Sequence, residues 1–319
     1  MALTLDRSSL TVVVPVHNEA GNVRPFTLRI KPILDALPSL ASWKIVFVNN
    51  DSEDATLDEI LKLREEDERV EVITLSRNFG YHASLVAGLT EADGDLYAII
   101  DVDGEDPPEL LTQFYAALCH GAQVAYGIRS KRQESPLIMF FRRLFYYINR
   151  RIADSEVVLW MAEFVMITRD VRDAILAPRT TFPFLRTEIG YVGFKRVGVP
   201  YLRARREKGQ SHYNFWRMAR FAIGGFLASS TFPLRLIVYL GALLAVGFPL
   251  AIFWMGLTFE EASMWAMILG FYFLLFTASI LGVYVARAYK NGVGRPIFVV
   301  DRRRTFCNAV VEPALPSPT

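Results

Sequence analysis

Hydrophobic positions change their rhythm three times along the chain. From residue 10 to 129, short apolar runs alternate with amphipathic stretches. Strands are predicted at Leu10 to Val16, Lys44 to Asn49, Val70 to Ser76, Leu96 to Val102 and Gln123 to Tyr126. Helices are predicted near 22–36, 54–66, 82–91 and 108–119. The first four strands recur every 25 to 35 residues or so, the length of a βαβ unit, so the pattern predicts an α/β domain with a parallel sheet.

A second rhythm follows. On a helical wheel Leu137, Phe140, Phe141, Leu144, Phe145, Ile148 and Ile152 share one side, opposite Arg143, Tyr146 and Arg150. This suits a helix lying on anionic headgroups. A similar helix is predicted from Tyr213, with Trp216, Arg217 and Arg220 at the interface. Last come two stretches without a charge, Leu236 to Leu257 and Met264 to Ala286. Crossing a bilayer takes about 20 apolar residues, so each is read as a membrane span, bent at Pro249 in the first case. Trp254 and Trp265 sit near the outer span ends, as interfacial belt residues do. The final VVEPALPSPT reads as a disordered tail.

Composition supports the membrane reading: 52% of the 319 residues are hydrophobic and 21% charged. The net charge of +2 hides a division, because residues 1–130 carry 10 basic and 21 acidic side chains and residues 131–319 carry 25 and 12. Arg217, Arg220 and Arg235 precede the first span, and Arg287, Lys290, Arg295 and Arg302 to Arg304 follow the second. The connecting TFEEAS holds Glu260 and Glu261 and no Lys or Arg. By the positive-inside rule both termini and the α/β domain face the cytoplasm, in a multi-pass membrane protein. Basic residues clustered beside the spans argue against a nucleic-acid module. Cys119 and Cys307 alone form no disulfide framework or zinc spacing, which fits a reducing compartment. Asp6 and Arg7 before the first apolar run do not have the order of a signal peptide.

Ligands of open α/β sheets bind at the carboxyl ends of strands. Those ends are polar here: PVHNE after the first strand, VNNDSED after the second, SRNFGYH after the third and DVDGEDPPE after the fourth. Asp101 and Asp103 can direct two carboxylates at one hard cation, with Glu105 as a third oxygen ligand. Pro107 and Pro108 are placed to start the next helix. His82 and His120 read as packing or helix-surface residues, and Ser52 and Asp54 as caps of the following helix.

These segments, in this order, resemble the polyprenyl-phosphate glycosyltransferases of glycosyltransferase family 2, which include dolichol-phosphate mannose synthase and the bactoprenol glucosyltransferases. The resemblance runs over nearly the whole chain. It rests on VVVPVHNE, NNDSEDAT, SRNFGYHASLVAGL, DVDGEDPPE and RARREKGQSHYNF, with SSTFPLR before the first span and RPIFVV after the second. It implies a cytoplasmic GT-A domain at 1–212, an interfacial helix and linker at 213–234, a transmembrane hairpin at 235–287 and a cytoplasmic tail at 288–319. It also implies inverting transfer of a sugar from a UDP- or GDP-sugar to a polyprenyl phosphate, undecaprenyl phosphate in bacteria, with Mg²⁺ or Mn²⁺.

Carried over by motif, Pro15, His17, Glu19, Val48 and Asn50 would line the nucleoside. Asp101, Val102 and Asp103 would serve the nucleotide sugar, and Asp101, Asp103 and Glu105 the metal. Arg129, Arg206 and His212 would hold phosphate groups, and Glu163 would join Asp101 and Asp103 as a catalytic carboxylate on the acceptor side. The sequence departs from the family pattern at four places. Asn49 and Asn50 replace two Asp, Glu105 replaces Gln, Glu163 lies in AEF where Gly-Asp-Phe is usual, and His212 replaces Lys. Two other readings are a processive polysaccharide synthase, against which stand the missing Q-x-x-R-W and the small number of spans, and a catalytically degenerate scaffold. Gly241 and Gly247 would allow span packing in a homo-oligomer.

Overall fold

The structure is a computed structural model, and it describes residues 8–129, 161–178, 183–203 and 230–307. The amphipathic segment at 137–152, the helix from Tyr213, Arg206, His212 and the final ten residues lie outside the described residues. Two compact units are present, one of residues 8–129, 161–178, 183–203 and 296–307, the other of residues 230–295.

In the first unit β1 (Ser8–Val16), α1 (Ala20–Asp35), β2 (Leu40–Asn49), α2 (Thr56–Glu66), β3 (Val70–Thr74), α3 (Tyr81–Glu91), β4 (Leu96–Ile99), α4 (Leu110–Cys119) and β5 (Val124–Arg129) follow the predicted alternation. They are joined by β6 (Met161–Thr168), α5 (Arg169–Leu176), α6 (Leu185–Val192) and β7 (Arg196–Tyr201), which the sequence pattern did not reveal. The seven strands form one sheet in the order β3-β2-β1-β4-β6-β5-β7. Pairs β1–β2, β1–β4, β2–β3 and β5–β7 are parallel, whereas β6 runs antiparallel to both β4 and β5. The expected all-parallel sheet is therefore corrected to a mixed one, the GT-A-like form of an α/β fold.

Strand residues alternate between two cores because successive side chains leave opposite faces. Val12, Val14, Phe47 and Phe164 pack with Ile30, Leu34 and Phe114 on the side of α1, α2 and α4. Val13, Val46, Val48, Ile99 and Val165 pack with Leu85 and Leu89 on the side of α3. Gly88 is the contact point of α3: a Cβ there would lie 2.3 Å from Val13 Cγ1 and 2.9 Å from Val48 Cγ2. Burial on both faces explains why the strands read as continuous apolar runs.

Residues 296–307 complete this unit, although the sequence suggested a tail. Val72 pairs with Phe306 and Leu75 with Val300 in antiparallel bridges along β3. The Val72 amide donates to Phe306 O (3.1 Å), the Ser76 amide to Val299 O (2.9 Å) and the Thr74 amide to Thr305 Oγ1 (3.0 Å). Without them β3 would be an open edge, a template for unwanted pairing.

In the second unit α7 (Phe232–Met255) holds all but the last two residues of the first apolar stretch and α8 (Phe259–Val293) holds the whole of the second. Both are long enough and apolar enough to cross a membrane, and neither has a buried residue. Pro249 lies within α7 without ending it, and Gly256 (φ 60°) terminates it. Glu260 and Glu261, expected in a loop, form the first turn of α8. Thr258 Oγ1 accepts from the Glu261 amide while Glu261 Oε2 accepts from the Thr258 amide, a capping box favoured further by the helix dipole.

Candidate functional site

The loops that leave β1 and β2 are laced together. Asn18 (φ 58°) and Asp51 (φ 55°) both occupy the left-handed region, which Asn and Asp enter at least cost among side-chain-bearing residues. The Asn18 amide donates to Ser52 Oγ (3.0 Å), the Glu53 amide to Asn18 Oδ1 (2.8 Å), the Glu19 amide to Thr56 Oγ1 (2.8 Å) and the Ala20 amide to Asp54 Oδ2 (3.3 Å). Ser52 and Asp54 thus tie two loops together, more than the helix caps expected of them.

Asn49 and Asn50 are both buried. Asn49 Oδ1 accepts from the Ser52 amide at 3.0 Å. Asn50 Oδ1 accepts from the Phe79 amide (2.9 Å), and its Nδ2 donates to Asn78 Oδ1 (2.9 Å), whose own Nδ2 lies 3.1 Å from His17 Nε2. A carboxylate at position 50 could not make that donation, so the amide is matched to Asn78. Of the residues expected at the nucleoside, His17 is exposed and Pro15 and Glu19 partly so, while Val48 is sealed against α3. Any approach to Val48 would have to be made to its backbone.

The end of β4 carries the acidic motif. Val102 sits in the core, and Asp101 and Asp103 flank it with partly accessible side chains. Gly104 (φ 73°) makes the following turn, closed by the Glu105 amide donating to Asp103 Oδ1 at 3.0 Å. Tyr81 Oη donates to Asp101 Oδ1 at 2.9 Å. Burial, and next the charge of Asp103, push the Asp101 carboxyl up to about 7, with the Tyr81 hydrogen bond working the other way.

Glu163 belongs to this site through sheet register. Ile99 pairs with Val165 across β4 and β6, so continuing the ladder by two residues sets Glu163 opposite Asp101. Its charge raises the pKa of Tyr81, Asp101 and His82, although burial dominates each of these shifts. Glu163 is 8% exposed, and its Oε1 lies 2.8 Å from Nε of Arg186. His82 packs against the Phe184 ring with centroids 5.0 Å apart, and burial lowers its pKa, consistent with the packing role expected of it.

Two further carboxylates have cationic partners. Asp106, 2% exposed, accepts from Arg129 Nη2 (3.2 Å) and from Tyr201 Oη, and Arg129 Nε donates to Tyr201 Oη (3.1 Å). Arg129, expected to hold phosphate, is thus committed to a buried triad. Glu105, expected on the metal, forms an ion pair with Arg203. Among the described residues no group of three His, Cys, Asp or Glu side chains forms a ready cation cage. Asp101 and Asp103 still fit a divalent ion, since Mg²⁺-type sites take one or two carboxylates and fill the remaining positions with substrate phosphates and water. Burial first and the Asp103 charge second raise the Asp101 pKa, and a cation held between the two carboxylates would offset both.

Sequence reasoning missed Tyr81, Asn78, Asp106, Arg186 and Arg203. Tyr81 and Asn78 lie within SRNFGYH and Asp106 within DVDGEDPPE, so motif position was a usable signal for these three. Arg203 opens RARREKGQSHYNF, so motif position was a usable signal for it as well, whereas Arg186 has its partner 23 residues earlier and nothing local marked it.

A family model described as "Glycosyl transferase family 2" matches residues 11–175, which span β1 through most of α5 and include every described carboxylate of the site. The chain is 30% identical to the prophage bactoprenol glucosyl transferase homolog of Escherichia coli over 306 residues, covering 92% of this chain and 98% of that protein. It is 26% identical to the undecaprenyl-phosphate 4-deoxy-4-formamido-L-arabinose transferase of Salmonella choleraesuis, covering 92% and 93%. The structure is similar to the mannosyltransferase PcManGT from Pyrobaculum calidifontis, solved in complex with GDP-Man and Mn²⁺, at 17% identity and a TM-score of 0.45, covering 89% of this chain and 87% of that one. With the acidic motif at the end of β4 and Glu163 opposite it, this chain belongs to glycosyl transferase family 2.

Proposed function

We propose that the enzyme transfers a sugar from a UDP- or GDP-sugar to undecaprenyl phosphate, with inversion, at the cytoplasmic face of the inner membrane. The observation that carries this reading is the opposition of Asp101 and Asp103 to Glu163 in a family 2 glycosyltransferase whose relatives are named for bactoprenol and undecaprenyl-phosphate transfer. Two helices able to span a bilayer would keep the site near a lipid acceptor, and the Arg and Lys flanks favour both termini on the cytoplasmic side.

In this reading His17, Pro15 and Glu19 border the nucleoside, while the Asn50–Asn78 pair holds the loops around it in shape. Asp101 and Asp103 would hold a divalent cation on the donor diphosphate, which would neutralise charge as the sugar–phosphate bond breaks. Tyr81 fixes the rotamer of Asp101. The acceptor phosphate oxygen is anionic near neutral pH, so it attacks the anomeric carbon without needing a strong base. The main tasks of the protein are alignment and electrostatics.

The test is direct. Detergent-purified protein is incubated with Mn²⁺ or Mg²⁺, undecaprenyl phosphate and a panel of labelled UDP- and GDP-sugars, and lipid products are identified by mass spectrometry. One donor is expected to give a metal-dependent lipid-phosphate sugar that Asp103→Ala abolishes. Lack of any lipid-linked product across the panel, or an Asp103→Ala variant as active as the unaltered enzyme, overturns the proposal.

A further inference from the structure

The acidic site poses an electrostatic problem for an anionic acceptor. Asp101, Asp103, Glu105, Asp106 and Glu163 all lie at or near the end of β4, and a phosphate arriving from the acceptor side meets their combined field. A cation is needed there to steady it. Among the described arginines of the site, Arg129 commits Nε to Tyr201 and Nη2 to the buried Asp106 and is only 16% exposed, and Arg203 is engaged by Glu105 with Asp106 4.0 Å from its Nε.

Arg186 is differently placed. It sits in the first turn of α6, and Nε, the inner corner of its guanidinium, lies 2.8 Å from Glu163 Oε1. Its two Nη groups have no hydrogen-bond partner among the described residues, and its side chain is 26% exposed. Its charge reaches the acceptor side of the site, because it lowers the pKa of both Tyr81 and His82 against the larger effect of burial on each. Glu163 Oε2 is buried and also lacks a partner among the described residues. A purely structural ion pair would be expected to use the fork of the guanidinium and both carboxylate oxygens. Here the ion pair is made without a hydrogen bond from the buried Nε, so the guanidinium keeps donor capacity that Glu163 does not use and that can grip two oxygens of one phosphate.

We infer that Arg186, oriented by Glu163, is the residue that binds the phosphate of the acceptor; this rests on the proposed lipid-phosphate acceptor and adds to it the group that recognises it. Losing a bidentate contact with a charged group costs on the order of 1.5–3 kcal/mol, which corresponds to about 10- to 100-fold in affinity.

The experiment measures binding of farnesyl phosphate, and separately of inorganic phosphate, to the full-length protein in detergent with UDP or GDP and Mn²⁺. Calorimetry is compared for the unaltered protein, Arg186→Lys, Arg186→Gln and the paired variant Glu163→Gln/Arg186→Gln, which leaves no uncompensated buried charge and so guards against misfolding. Arg186→Gln and the paired variant are expected to weaken farnesyl phosphate about 10- to 100-fold and Arg186→Lys less, with nucleotide affinity within about twofold. Binding of farnesyl phosphate but not inorganic phosphate identifies the lipid as the ligand, and equal binding of both identifies the phosphate group alone. Unchanged farnesyl phosphate affinity in the variants, an equal loss of nucleotide affinity, or no binding to the unaltered protein overturns the inference. Arg186-dependent binding without formation of any lipid-linked sugar would instead overturn the proposed reaction and leave the phosphate site standing.

Discussion

Arg304 meets Asp51 across 253 residues of sequence: both Nη atoms lie 3.4 Å from Asp51 Oδ1, while Nε binds Asp301 Oδ2 at 2.7 Å. Asp51 is the left-handed residue at the end of β2, so the segment that follows α8 touches the loop beside the candidate nucleoside position. Both partners are more than one-third exposed, and such a pair contributes about 0–1 kcal/mol. The backbone pairing around it carries more. Truncation after Arg295 is expected to remove hydrogen-exchange protection from the Val72, Thr74 and Ser76 amides and to promote aggregation through β3. Arg304→Ala should leave that protection intact, and loss of protection in that variant alone would show that the side chain, not the strand pairing, holds the segment.

Arg129 offers the opposite case. It is only 16% exposed at the side chain and compensates Asp106, which is 2% exposed. Removing one member of a buried ion pair costs about 3–5 kcal/mol because the other charge is left unpaired. Arg129→Ala is therefore expected to lower the melting temperature far more than Arg304→Ala in the same detergent, and to yield little folded protein. A variant as stable as the unaltered enzyme would mean that Arg129 is a surface group available to substrate.

The difference between these two arginines shows what was legible in the chain. β1 to β4 and the helices between them emerged from local periodicity, because each strand and its following helix are neighbours in sequence and in space. β6 did not, since its partner β4 is some 65 residues earlier and its direction is reversed, and only that reversal sets Glu163 opposite Asp101. The motif DVDGEDPPE announced Asp101 and Asp103, yet gave no sign that Asp106 would be buried, because Tyr201 and Arg129 enclose it from β7 and β5. The helices able to span a membrane were legible from composition alone. Their extension to Val293 and the return of residues 299–306 to β3 depend on contacts that no local pattern encodes.

Close packing of α3 on the sheet gives a third prediction. Gly88→Ala would place a methyl 2.3 Å from Val13 Cγ1 and 2.9 Å from Val48 Cγ2. Overpacking of this kind costs about 1–3 kcal/mol. The expected result is a lower melting temperature, partly restored in Gly88→Ala/Val13→Ala, where the shortened side chain makes room. If Val13→Ala gives no restoration, the strain lies elsewhere along α3.

Asp101 supplies the pH dependence. Its folded-state pKa of about 7 stands above the ordinary value near 3.9, chiefly through burial and then through Asp103. Between those two values the folded protein keeps a proton that the unfolded chain has released. In the metal-free protein this group's contribution to stability is therefore fully present below about pH 4 and is lost as pH rises to about 7. A divalent cation competes with the same proton, so metal affinity should strengthen up to about tenfold per pH unit below 7 and level off above it. Titration of Mn²⁺ in the presence of nucleoside diphosphate at pH 6 and pH 8 measures this. Tyr81 stabilises the charged form, and Tyr81→Phe removes its hydrogen bond, so the midpoint of metal affinity should move to higher pH. An affinity that is flat from pH 6 to 8, or a midpoint that moves downward in Tyr81→Phe, would show that the cation is not held by the Asp101 carboxylate.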